Sequence, residues 1–241
     1  AQHVLFNLKG RHVDATSLFL DHFTAHGEGV SLEADAKIDL ATEAIDSRLT
    51  LTLSDAAARA WADTADLKGE ADLCAMVSGT LRAPRVHLNA HLRDLKAGGF
   101  GADHVAAHLQ LETASSVAEP NVDGWRVASE GKASGLSDSS GNPLPETSLD
   151  WLLEAEIPTD GHTVLVKALR LAGAHHRLDA SGRLETASMT GNLEASLRVR
   201  DLRTLTRLLG RELPGTLHLD FRMSGEAVSY THLTLPTIYS V

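Results

Sequence analysis

Aromatic side chains make up only 4% of the 241 residues, and the chain has one cysteine and no block of like charge. With so few rings there is little for stacking on sugars and little bulk for a core. An apolar interior has to come from Leu, Val and Ala within the 43% apolar fraction. Cys74, alone, excludes an internal disulfide and a thiolate metal cluster. The net charge of -10 argues against nucleic acid, because binding phosphates needs a basic patch. No apolar run is long enough to span a bilayer, and no signal peptide is visible. The chain opens at Ala1 inside a strand-like pattern, so the expectation is an internal fragment whose anchor lies upstream.

What is present is repetition. Residues 23–79 and 169–225 align without a gap at an offset of 146, with eleven identities that include Gly27/Gly173, Leu32/Leu178, Ala34/Ala180, Leu51/Leu197, Asp55/Asp201, Gly69/Gly215, Leu73/Leu219 and Gly79/Gly225. These fall on turn glycines, one cap and alternating apolar positions, where backbone geometry limits the choice of residue. Chains built by repetition make extended surfaces more often than one compact pocket.

Period-two alternation dominates each copy and its surroundings. Leu49, Leu51 and Leu53 alternate with polar residues, as do Val86, Leu88 and Leu92, and Val105, Leu109 and Leu111. Leu178 and Leu184, Leu197 and Val199, and Leu217, Leu219, Phe221 and Met223 repeat the pattern. Successive side chains of a strand point to opposite faces, so each run has one apolar and one wet face, which favours antiparallel sheets. A short helix is expected once per copy, near 55–65 after Ser54 and at 201–209, where Leu202, Leu205, Leu208 and Leu209 share a face. The predicted plan is a first β unit over 1–112, a Ser/Gly-rich loop or weakly structured insert over 113–148 with one short strand near 125–127, and a second β unit over 149–227. Residues 228–241 contain Val228-Ser-Tyr-Thr-His-Leu-Thr-Leu-Pro-Thr237, which resembles a translated sequencing adapter and is expected to be non-native.

Catalytic patterns are not found. His175-His176 is an adjacent pair that a strand would point to opposite faces, and His104 and His108 sit in a strand pattern without the geometry of a helical metal site. The thirteen histidines read as surface residues. Cys74 lies in the apolar run Leu73-Cys-Ala-Met-Val77 and reads as a buried, inert thiol. There is no Gly-x-Ser-x-Gly elbow, and Gly98-Gly99-Phe100-Gly101 lacks the lysine of a phosphate loop. The expectation is a non-enzyme with no metal and no cofactor.

The segment Asp201-Leu-Arg-Thr-Leu-Thr-Arg-Leu-Leu-Gly-Arg-Glu-Leu-Pro-Gly-Thr-Leu-His-Leu-Asp-Phe-Arg-Met-Ser-Gly225 resembles the recurring unit of the TamB and AsmA-like envelope proteins. Val77-Ser-Gly-Thr-Leu-Arg-Ala-Pro84 and Leu169-Arg-Leu-Ala-Gly173 are similar to their strand-opening and strand-pair motifs. The resemblance implies an all-β fold: an extended, curved antiparallel-type sheet forming an open trough (a β-taco) with short intervening helices. It also implies a periplasmic protein tethered to the inner membrane, which shields phospholipid acyl chains between the two membranes and serves outer-membrane protein assembly with a TamA-like partner, membrane contact being made through parts outside this segment. On that reading the groove is lined by Leu49, Leu51, Leu53, Leu73, Val86, Leu88, Leu92, Leu109, Leu178, Leu184, Leu197, Val199, Leu217, Leu219 and Phe221. Two alternatives remain: a structural or adhesive β-solenoid of the passenger-stalk kind with a closed core, and a β-solenoid enzyme acting on polysaccharide, which the scarcity of aromatics disfavours.

Overall fold

The computed structural model describes residues 5–14, 16–57, 68–115, 123–138, 140–158, 161–186, 188, 190–206, 212 and 214–225. The chain divides into two units, Ala1–Thr113 with Ala133–Asn142, and Ala114–Lys132 with Pro143–Val241. Both are all-β, and both are open antiparallel sheets.

The first unit is a meander of β1 (Leu5–Asp14), β2 (Ser17–Gly27), β3 (Val30–Asp39), β4 (Ala44–Leu53), β5 (Lys68–Thr80), β6 (Pro84–Ala97) and β7 (Phe100–Ser115), each strand pairing with the next in sequence. Most of β8 (Asp123–Ser134) belongs to the second unit, while the two-residue β9 (Ser137–Asp138) pairs with β7. The second unit runs β8, β10 (Ser148–Pro158), β11 (Thr163–Gly173), β12 (His176–Glu185), β13 (Thr190–Val199) and β14 (Leu217–Gly225) in that spatial order. Half-wet strands, most of them joined by hairpin-sized connections, make this the expected antiparallel outcome. The 113–148 segment, expected as a loop with one short strand, instead carries the twelve-residue β8.

The sequence repeat is a repeat of structure. Strands β2, β3 and β4 have their counterparts in β11, β12 and β13, displaced by 146 residues at both ends. Even the irregularity is copied: the ladder skips between Leu20 and Phe23 in the first copy and between Val166 and Leu169 in the second. A bulge of this kind bends and twists the strand that carries it.

The expected helices are described only in part. Residues 55–57 are helical, with Ser54 Oγ accepting from the Ala57 N–H at 3.5 Å, and 58–67 lie outside the described residues. In the second copy a 3₁₀ turn spans Leu202–Leu205, capped by Asp201, whose Oδ1 accepts from the Arg203 N–H at 3.0 Å. Residues 207–211 and the tail 226–241 lie outside the described residues.

Among the described residues, neither unit has a thick core. The buried apolar side chains among the described residues are Ala25, Ala57, Ala102, Ala133, Ala155 and Val199, five alanines and one valine.

Candidate functional site

Cross-strand register decides which side chains share a face, because directly paired residues point the same way. In the first unit one row runs Leu32, Leu51, Leu73, Ala90, Ala107 across β3 to β7. A second runs Ala34, Leu49, Ala75, Leu88, Leu109, and a third Val30, Leu53, Ala71, Leu92, Val105. Val77, Val86 and Leu111 extend the same face. Phe6 and Leu8 join it through β2, with the Phe6 and Phe23 rings stacked at 6.4 Å. All eight first-unit candidates therefore lie on one face.

The second unit repeats this. Trp151, Leu171, Leu178, Leu197 and Leu219 form one row across β10 to β14, and Leu153, Leu169, Ala180, Ala195 and Phe221 the next. Val164 pairs with Leu184, and Val199 with Leu217. The seven second-unit candidates are brought together on this face. Trp151 keeps its indole N–H satisfied by donating to Ser129 Oγ at 3.2 Å.

Among the described residues these faces keep free surface. Thirteen of the fifteen candidates are half-buried, Leu49 is exposed, and only Val199, 2% exposed, has no free surface to offer a ligand. Phe6 and Leu8 retain 70% and 69% exposure. Among the described elements, the strands in close approach within each unit are the hydrogen-bonded neighbours, and no second layer covers the apolar rows.

The opposite faces are polar. In the first unit Thr50, Cys74, Asn89 and His108 form one row, with His108 Nδ1 2.8 Å from Asn89 Oδ1 and Gln110 Nε2 2.8 Å from His108 Nε2. Cys74 thus sits half-exposed among polar neighbours, which corrects the expectation of a buried thiol. The run Leu73-Cys-Ala-Met-Val77 alternates faces, and only its odd positions are on the apolar side. In the second unit Arg170, Asp179, Ser196 and Asp220 form the corresponding row. The hydrogen bond from Arg177, against the pull of desolvation and with help from Arg170, lowers the Asp179 carboxyl to about 2. A cavity of about 840 Å³ opens on this polar face beside Arg170, Asp179, Glu194 and Arg222. One of about 390 Å³ opens on the first unit's polar face beside Ser31, Thr52, Asp72 and Arg93. Around both, residues with charged or hydroxyl side chains outnumber the others.

Two carboxylates with structural work were not apparent in the sequence. Glu146 accepts from the backbone N–H groups of Ala174, His175 and His176 and contacts His176 Nδ1 at 2.6 Å, while His176 Nε2 lies 3.1 Å from Thr204 Oγ1. Burial pushes the Glu146 carboxyl up, yet these bonds together outweigh it and hold the group below 4.5. His176 is therefore part of a clamp on the β11–β12 turn, where a plain surface histidine was expected. Glu156, its side chain 3% exposed, lies between Lys167 Nζ at 2.5 Å and Arg126 at 3.6 Å. Each carboxylate meets partners 11 to 30 positions away on neighbouring strands or turns, a range to which local periodicity is blind.

Among the described residues no group of three or more His, Cys, Asp or Glu is placed to hold a metal ion. No described helix is long and apolar enough to cross a membrane, which says nothing of strands. Comparison with known protein families, curated proteins and solved structures finds no match to this chain.

Proposed function

We propose that the chain is a segment of a TamB/AsmA-like envelope protein whose apolar sheet faces shield phospholipid acyl chains during passage between the inner and outer membranes. The observation that carries this is the apolar face of each unit: continuous in register over five strands and left half-exposed by a single layer of sheet. A water-soluble protein exposing such rows has a partner for them. Each acyl CH₂ moved from water onto such a surface gains up to about 0.8 kcal/mol. Leu, Val and Ala side chains hold no polar group that would fix a lipid in one place, which suits passage better than storage. Headgroups would stay in solvent, and no catalytic residue is required. Periplasmic placement, the inner-membrane tether and a role with a TamA-like partner in outer-membrane assembly come with the family proposal.

Lipid binding by the purified chain tests this. Native mass spectrometry after incubation with phospholipid vesicles should show bound lipid, and the double variant Leu51→Asp, Leu197→Asp should lose about tenfold or more of it. Thr52→Asp, on the polar face, should not. A closed-core solenoid predicts a different result: the Leu→Asp variants unfold, as burying a charge requires, and the native chain binds no lipid.

A further inference from the structure

We propose that the outer edge of β14 is a strand-acceptor site, taking an antiparallel strand of the β6 pattern that begins opposite Gly225. The proposal rests on the structural duplication and stands apart from the acyl-chain proposal.

Strand β14 is the copy of β5, and Leu219 and Gly225 are the counterparts of Leu73 and Gly79. On one side the two strands have the same neighbour: β5 pairs with β4, and β14 with its copy β13. On the other side β5 is covered by β6 from Gly79↔Pro84 through Ala71↔Leu92. Among the described residues nothing pairs with that side of β14.

The hydrogen-bond phase shows which groups the edge presents. The Arg200 N–H donates to His175 O at the end of the β12–β13 ladder away from its turn. Alternate residues of an antiparallel strand address opposite neighbours, so odd-numbered residues of β13 bond to β14. It follows that His218, Asp220, Arg222 and Ser224 turn their backbone N–H and C=O outward. In the first copy the Thr80–Ala83 bonds put Asp72, Cys74, Met76 and Ser78, the equivalent residues, toward β6. The unpaired groups on β14 are thus the ones that β5 uses to hold a strand.

Exposed edges are normally blunted by bulges, Lys or Pro. Strand β1 shows this, with two register irregularities and Lys9. Strand β14 has nine consecutive pairs to β13 with no irregularity, and its sequence LHLDFRMSG contains neither Lys nor Pro. A strand arriving here would place apolar residues beside Leu217, Leu219, Phe221 and Met223 and extend the apolar rows by one strand. Recognition is by backbone ladder plus alternate side chains, the usual logic of strand addition.

The probe is a synthetic peptide of residues 84–97 carrying benzophenone at Val86, added to the whole chain. Saturable binding is expected, with labelling at or near Met223, the counterpart of Val77. N-methylation of Asn89, whose N–H would face β14, should weaken binding about tenfold or more, because several ladder bonds are lost with it. N-methylation of Leu88, whose N–H faces away, should leave binding within about threefold. Because the peptide carries the changes, the chain's own folding is untouched. Absence of binding, equal binding by a scrambled peptide, equal effects of the two methylations, or labelling confined to β5 would overturn the proposal.

Discussion

The two copies of the repeat carry the same bulge with opposite charges. In the first, the extra residue on β2 is Asp21, and Arg11 of β1 donates to it at 2.9 Å. In the second, the extra residue on β11 is Lys167, and Glu156 of β10 pairs with it at 2.5 Å. Arg11 faces Phe19 in the ladder and Glu156 faces Leu165, which are equivalent positions. An ion pair across a bulge has therefore been retained in place while its polarity is reversed. Their settings differ too: Glu156 is 3% exposed and also has Arg126 beside it, whereas Arg11 is 63% exposed. The geometry of the bulge needs a compensated pair, and which strand supplies the anion is free to change.

That contrast can be broken at the buried pair first. Lys167→Met removes the nearer cation from a buried carboxylate and should destabilise the second unit by about 3 kcal/mol. Asp21→Asn, at the exposed pair, should cost less than about 1 kcal/mol. Urea denaturation of the two variants checks the difference, and equal effects would mean that burial does not distinguish the copies.

The turns between the first two repeated strands give the next largest effect. In the second copy Glu146 clamps the β11–β12 turn through three backbone N–H groups. Glu146→Ala should cost about 2 kcal/mol, since bonds to a charged acceptor are lost together. Amide exchange at His175 and His176 should accelerate, while the β2–β3 turn stays unchanged. The sign of the pH effect follows from the lowered carboxyl. Stability from the clamp is present above the ordinary 4.5 and is lost as pH falls through the folded-state value. Glu146→Gln should remove that acid dependence of exchange.

The first copy solves the same turn with glycine. Gly29 has φ of 74°, and a Cβ there would fall 2.0 Å from Ser54 Oγ, the cap of the helical turn. Gly29→Ala should cost about 1 to 2 kcal/mol. At the equivalent position the second copy has His175 opposite Arg200, and His175→Gly should change stability by less than about 1 kcal/mol. Thermal melts of the two variants test the asymmetry. The smallest effect is expected at Asp179, which should titrate near 2 by NMR. Asp179→Asn should alter stability by less than about 0.5 kcal/mol, because the Arg177 and Arg170 pairs are largely solvated.

The alternation of Leu, Val and Ala was enough to foresee an all-β antiparallel chain, because a strand with one wet face writes its period directly into the sequence. The register at which Leu32 meets Leu51, or Leu178 meets Leu197, follows once neighbouring strands are joined by short turns. The bulge pair was not legible, since none of Arg11, Asp21, Glu156 and Lys167 is an identity of the repeat. The Glu146 clamp joins residues about thirty positions apart and leaves no periodic trace. Cys74 was misplaced because an apolar run hides which of its members face outward, and the neighbouring strands decide that. Strand β8 was underestimated since its Gly, Ser and Ala content looks like a loop until ladder partners are supplied.

Photo-crosslinking to native lipid in cells tests the central claim most directly. Photoreactive residues at Leu51, Leu88, Leu197 and Leu219 should label phospholipid, and those at Thr52 and Arg198 on the polar faces should not. Lipid adducts from Thr52 and Arg198 but none from the four leucine positions would contradict the account.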